Sequence, residues 1–90
     1  MKKKDFKEIT SNFGIDNQLI KLNEEIGELL IACKNKDYFE IQEELADTCV
    51  LLTQIAIYYE IDKEEIEMVM KEKTYRTLKR IKEGYYDNHR

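Results

Sequence analysis

Apolar residues recur at spacings of three and four along most of this chain, which is the period of an amphipathic α-helix. Capping residues and glycines divide the pattern into four predicted helices. The first begins at residue 3 and ends at Gly14; the second runs from an N-cap at Asp16 to about Lys36, the third from Asp37 to about Glu60, and the fourth from Asp62 to about Glu83. We therefore expect an all-α fold.

Two of these helices show how they should pack. The second has an apolar stripe with a line of polar residues beside it. We expect this polar line at the rim of a helix-helix groove; its members are Gln18, Lys21, Glu25 and Glu28. The third becomes apolar nearly all round after Asp47. It should therefore be covered on more than one side, by its own bundle and by a second subunit.

Composition and charge limit the fold and the partners. With 90 residues the chain has room for one domain with a marginal core, which again favours an oligomer. It has no Pro and three Gly, as expected of helices joined by short turns. A net charge of -4, with the basic residues near the two ends, argues against binding to nucleic acid.

The cysteines and the longest apolar segment favour a cytoplasmic protein that does not span a membrane. Cys33 and Cys49 are not in a CxxC pair, so we interpret them as buried thiols of a cytoplasmic protein. The uncharged segment 48–59 is too short and too polar to cross a bilayer, and the lysines near the N-terminus are followed by Asp5 rather than by an apolar stretch.

Two acidic clusters carry the chemical signal: Glu24-Glu25-x-x-Glu28 and Glu44-x-x-Asp47. Residues three apart lie on one face of a helix, so each cluster can direct two carboxylates at one point. Hard oxygen ligands without a nearby His or Cys suit Mg²⁺, Mn²⁺ or Ca²⁺. The alternative is a pair of solvated helix faces with surface ion pairs. A phosphate-binding glycine loop and a covalent nucleophile are both missing from the sequence.

With these motifs, the chain resembles the MazG-like all-α nucleoside triphosphate pyrophosphohydrolases, whose signature is EExxE followed by ExxD. The likeness covers roughly residues 17 to 80 and includes Lys73 and Arg76 on the fourth helix. It implies one helical domain over residues 1–90, with an N-terminal helix 3–13, a core 16–83 and a tail 84–90, assembled as a homodimer or homotetramer.

The resemblance also implies a reaction: a nucleoside triphosphate and water give the monophosphate and pyrophosphate. The implied Mg²⁺ ligands, with Mn²⁺ as a substitute, are Glu25, Glu28, Glu44 and Asp47. Glu24 is the candidate to orient or deprotonate water, or to bind a second ion. Basic residues would hold the triphosphate, namely Lys21, Lys73 and Arg76.

Two other functions fit the same sequence. The apolar third helix suits a non-catalytic oligomerisation or adaptor module. The acidic clusters also suit a sensor that binds Mg²⁺ and a nucleotide without hydrolysing it.

Overall fold

The computed structural model describes residues 1–88, and within them the predicted all-α fold is confirmed. The elements are α1 (Lys3–Phe13), α2 (Ile15–Lys34), α3 (Tyr38–Tyr58), α4 (Lys63–Lys82) and a 3-10 turn at Tyr85–Asn88. They fall into two compact units, Met1–Glu60 with α1 to α3, and a second unit that begins at Ile61 and contains α4. The last two residues of the predicted tail lie outside the described residues.

Gly14 is the single residue between α1 and α2. Its φ of 87° is in the left-handed region that favours glycine, and it is both the C-cap of α1 and the N-cap of α2. The predicted N-cap at Asp16 is therefore wrong. Asp16 instead lies in the first turn of α2, where a carboxylate interacts favourably with the positive end of the helix dipole.

A tight turn connects α2 to α3 and sets the register of the two helices. The backbone N–H of Asp37 donates to the Ala32 carbonyl and that of Lys36 to the Cys33 carbonyl, both at 3.1 Å, with Lys36 at φ 54°. This is a Schellman ending. The Asp37 carboxylate then accepts from the N–H of Glu40 at 3.1 Å, so the predicted N-cap of α3 is confirmed.

The interior of the first unit is small and largely polar. Its buried apolar residues are Phe6, Ala32 and Leu51, and its buried polar residues are Thr10, Gln18, Glu25, Glu44 and Gln54. The expectation that the polar line of α2 lies at the rim of the groove is thus wrong for Gln18 and Glu25. Both point into the protein, whereas Lys21 and Glu28 are exposed.

Three of the buried polar side chains form one hydrogen-bond network across the three helices. The side chain of Gln54, 2% exposed, accepts at Oε1 from the Thr10 hydroxyl at 3.0 Å and from Gln18 Nε2 at 2.9 Å. The Thr10 hydroxyl also lies 2.9 Å from the Phe6 carbonyl oxygen, so its single proton is shared between two acceptors, this carbonyl and Gln54 Oε1. A polar network is stable in an interior only when its members find partners, and this one ties α1 and α2 to α3.

Many of the predicted apolar residues face outward instead. Leu30 on α2 is 65% exposed and Leu52 on α3 is 51% exposed. Cys33 and Cys49 are exposed as well, so the prediction of buried thiols is wrong for the single chain. In the second unit, α4 has no buried residue.

Gln54→Leu should lower the free energy of unfolding by about 1–3 kcal/mol, because the buried Gln18 amide loses its acceptor, whereas the Thr10 hydroxyl keeps the Phe6 carbonyl. Urea titration at one fixed protein concentration measures this change. Gln42→Leu, the same substitution at an exposed position of α3, is the control. Equal stability of the two variants would show that the network contributes nothing.

Candidate metal centre

Three carboxylates from two helices meet between α2 and α3. One oxygen each of Glu25, Glu28 and Glu44 lie within 4.8 Å of one another. Glu25 and Glu44 are 8% and 5% exposed, and Glu28 is exposed. The spacing of three residues puts Glu25 and Glu28 on one side of α2, and the tight turn after Lys34 brings Glu44 of α3 opposite them.

Crowding of like charges changes the protonation of this cluster. The pKa of Glu44 is raised from 4.5 to about 8. The first cause is that protonated Glu44 can hydrogen-bond to the Glu25 carboxylate; burial and the negative charges of Glu25 and Glu28 follow, and Glu40 adds a smaller contribution. Without a cation, the cluster therefore binds a proton near neutral pH.

Two buried oxygens in the cluster have no hydrogen-bond donor among residues 1–88. They are Oε2 of Glu25 and Oε2 of Glu44. Buried carboxylate oxygens normally pair with a donor or bind a metal. Since the neighbouring groups are themselves carboxylates, a cation with a preference for hard oxygen ligands fits this set of residues.

A cleft of about 230 Å³ opens onto the cluster from the side of the α2–α3 turn. Glu28 and Glu44 line it together with Asn35 and Glu40. Glu40 was not predicted as a site residue, because its spacing of three from Asp37 is that of a capping box. Its spacing of four from Glu44, which places both on one face of α3, was the available signal.

The other two predicted acidic residues lie in a different place. Glu24 and Asp47 line a second cavity of about 400 Å³ between the helices of the first unit, together with Lys21. Asp47 does not belong to the three-carboxylate cluster. The roles assigned to Asp47, Glu24 and Lys21 stay predictions.

The predicted phosphate-binding residues of the fourth helix lie in the second unit. Lys73 and Arg76 are exposed on α4, and their assignment to the triphosphate also stays a prediction. Arg80, the next cation along that face, lies with its guanidinium carbon 5.0 Å from the centre of the Tyr85 ring. This cation-π contact links the end of α4 to the following turn.

Comparison with known proteins identifies the family. The model of the phosphoribosyl-ATP pyrophosphohydrolase family matches residues 4–74, which cover all but the first residue of α1, the whole of α2 and α3 with both acidic motifs, and the first part of α4. The chain belongs to this family. Neither the comparison with curated proteins nor that with solved structures gave a significant match.

The phosphoribosyl-ATP pyrophosphohydrolase family is part of the MazG-like all-α superfamily, so the predicted resemblance is confirmed at the level of the superfamily, whereas the MazG family itself is not confirmed. Membership indicates an activity of the pyrophosphohydrolase type. Enzymes of this family typically use divalent metals, in agreement with the acidic cluster. Among residues 1–88, no helix has the length and apolar character needed to span a membrane.

The metal-free protein should lose stability as the pH rises from about 4.5 to about 8. Over this window folded Glu44 retains a proton that the unfolded chain releases, so the contribution of Glu44 is fully present below pH 4.5 and is lost as pH rises through its folded pKa.

The free energy of unfolding is measured in the presence of a chelator for the wild type and for Glu44→Gln. The difference between the two values should vary with pH across this window. Glu43→Gln, at an exposed neighbouring position, is the control. A constant difference between wild type and Glu44→Gln at all pH values would contradict the shared-proton interpretation.

Proposed function

We propose that this protein is a Mg²⁺-dependent nucleotide pyrophosphohydrolase. It adds water across the anhydride bond between the α and β phosphates of a nucleoside triphosphate, which gives the monophosphate and pyrophosphate. The observation that carries the proposal is the cluster of Glu25, Glu28 and Glu44 with two buried oxygens that lack a donor. Membership in the family supports the reaction class.

The cation is Mg²⁺, with Mn²⁺ as a substitute, held by Glu25, Glu28 and Glu44, with Asp47 as a further ligand. When bound, it neutralises phosphate oxygens and lowers the pKa of a coordinated water. The protein contributes a fixed set of carboxylates. Glu25 and Glu44 are held by burial between two helices, so they need little rearrangement to bind a cation.

Glu24 orients the attacking water or takes its proton, and the alternative role is ligation of a second ion. Its place in the cavity of about 400 Å³, beside Asp47 and Lys21, supports a position close to the substrate. The ammonium group of Lys21 stabilises charge that develops on the leaving pyrophosphate, and Lys73 and Arg76 act in the same way.

The same cavity is the proposed site of the nucleoside. Its size suits a small-molecule ligand, and the aromatic ring of Phe13 and the amides of Asn17 and Gln18 are among its lining groups. Stacking on an aromatic ring is available to any base, while amides can hydrogen-bond to a base edge. Phosphoribosyl-ATP, the substrate in the name of the family, is an adenine nucleotide with a triphosphate, so it belongs in any substrate panel.

Glu44→Gln and Glu28→Gln should each lower pyrophosphate release by about 100-fold or more, because loss of a ligand removes charge stabilisation worth several kcal/mol. The assay uses ribo- and deoxyribonucleoside triphosphates and phosphoribosyl-ATP, with Mg²⁺ or Mn²⁺. Glu43→Gln, whose side chain is exposed on the same helix, should retain activity.

Turnover that survives both ligand substitutions would disprove the metal-dependent reaction. Tight nucleotide binding without product in the wild type would identify a sensor instead.

We further propose that the protein works as a homodimer. Most of the large apolar side chains left uncovered in the first unit lie on α2 and α3, and they include Leu30, Ile31, Leu45 and Leu52. The apolar residues of α4 are exposed as well, Met70 among them at 60%. Exposed apolar surface of this extent is typical of a surface that another chain covers, and a second copy of this chain is the partner that the family resemblance implies.

Leu52→Asp should convert the dimer into a monomer, because a carboxylate would have to be buried without a partner in the interface. Light scattering coupled to size-exclusion chromatography measures the mass. Gln42→Asp, at an exposed polar position of α3, should remain dimeric. A wild-type protein with the mass of one chain would refute the dimer.

A further inference from the structure

The hydroxyl of Thr48 lacks a partner in the interior. Its Oγ1 atom is enclosed and has no hydrogen-bond partner among residues 1–88. Within that part of the chain, the other enclosed side-chain atoms without a partner are Oε2 of Glu25 and Oε2 of Glu44. An unpaired buried hydroxyl destabilises a protein, so a threonine in this position needs an explanation.

Other threonines in helices of this chain have an ordinary solution. The hydroxyls of Thr53 and Thr77 donate to the carbonyl four residues earlier, to Cys49 at 2.7 Å and to Lys73 at 2.9 Å. This local bond is the usual partner for a threonine inside a helix. For Thr48 the equivalent acceptor is the carbonyl of Glu44, and no such bond is formed.

The location of Thr48 relates it to the carboxylate cluster. It follows Glu44 by four residues, so the two side chains lie on the same face of α3. That face also contains the buried Leu51 and is directed into the first unit. The hydroxyl therefore lies one turn from the acidic cluster, on the side toward the network of Gln54.

The three unpartnered atoms complement one another. A hydroxyl can donate one hydrogen bond and accept others, whereas the two carboxylate oxygens only accept. A buried water needs two to four polar partners, and these three atoms supply that number. Hydrogen-bond partners behind the ligands of a metal fix the orientation of those ligands.

On the basis of the proposed metal-dependent function, we propose that Thr48 is a positioning residue for the cation. Its hydroxyl, through a water molecule held between α2 and α3, orients the carboxylates of Glu25 and Glu44 toward a hydrated divalent cation. The hydroxyl does this without adding charge to a cluster that is already acidic.

The experiment measures Mn²⁺ binding to the metal-free protein by titration calorimetry, and thermal unfolding in the presence of a chelator. Thr48→Val keeps the shape of the side chain and removes the hydroxyl. We expect the affinity for Mn²⁺ to fall about 10-fold or more, while the unfolding temperature stays close to that of the wild type, because no direct hydrogen bond within the protein is lost. Thr48→Ser should retain wild-type affinity.

Thr53→Val is the matched control, since it removes a helix hydroxyl that already has a local partner, and it should bind Mn²⁺ as the wild type does. Wild-type affinity in Thr48→Val, or weak binding in Thr48→Ser, would overturn the role of Thr48 and leave the proposed function intact. A wild-type protein that binds no Mn²⁺ would overturn both. If Thr48→Val does not fold, Thr48→Ala takes its place with the same outcomes.

Discussion

The contact between Glu25 and Glu44 is the constraint on which the rest of this structure depends. Two carboxylates lie buried side by side between α2 and α3, and neither has a donor for its second oxygen within residues 1–88. Like charges in an interior cannot both stay ionised without a counter-charge. The interface therefore favours a bound proton, in agreement with the raised pKa of Glu44, or a cation. Folding of the first unit and occupancy of the site are linked for this reason.

The polar interior has a consequence for the apolar residues. Positions that an ordinary helical hairpin fills with Leu or Ile are occupied here by Gln18, Glu25, Glu44 and Gln54. A chain of 90 residues has few apolar side chains to spare, and much of its Leu and Ile content lies on the outer faces of α2 and α3. The polar interior with its candidate site and the exposed apolar surface thus have the same cause, which is that polar residues stand at several buried positions of the helices and apolar residues at many exposed ones. Covering that surface with a second chain would stabilise the fold that holds the carboxylates.

Helical periodicity predicted the number of helices, their approximate ends and the common face of Glu25 and Glu28, because spacing determines which side chains of one helix share a face. That Glu44 of the next helix belongs with them was implied by the family resemblance, which also included Asp47 in the set. Periodicity did not predict which face turns inward. The apolar stripe of α2 was placed against its own bundle, yet Gln18 and Glu25 are buried and Leu30 is exposed. Hydrophobicity identifies a surface that leaves water, and it does not say whether the same chain or another chain covers it.

Two local features were not predicted: the N-cap of α2 and the place of the Glu40 side chain at the edge of the site. Asp16 is a good N-cap by residue type, but Gly14 already supplies the one non-helical residue between α1 and α2. The backbone N–H of Glu40 donates to the Asp37 carboxylate at the start of α3, while the side chain of Glu40 lines the acidic cleft. The spacing from Asp37 accounts for the first contact and gives no sign of the second.

Glu24 and Glu28 of the EExxE motif line two different cavities of the first unit. Successive residues of a helix are about 100° apart, so adjacent Glu24 and Glu25 diverge, while Glu28 returns to the side of Glu25. Glu24 consequently lines the larger cavity with Lys21 and Asp47, whereas Glu28 lines the smaller cleft with Glu44. Under the proposed function this geometry separates two tasks. Glu25, Glu28 and Glu44 are grouped to bind a cation, and Glu24, which handles water, lines a different cavity.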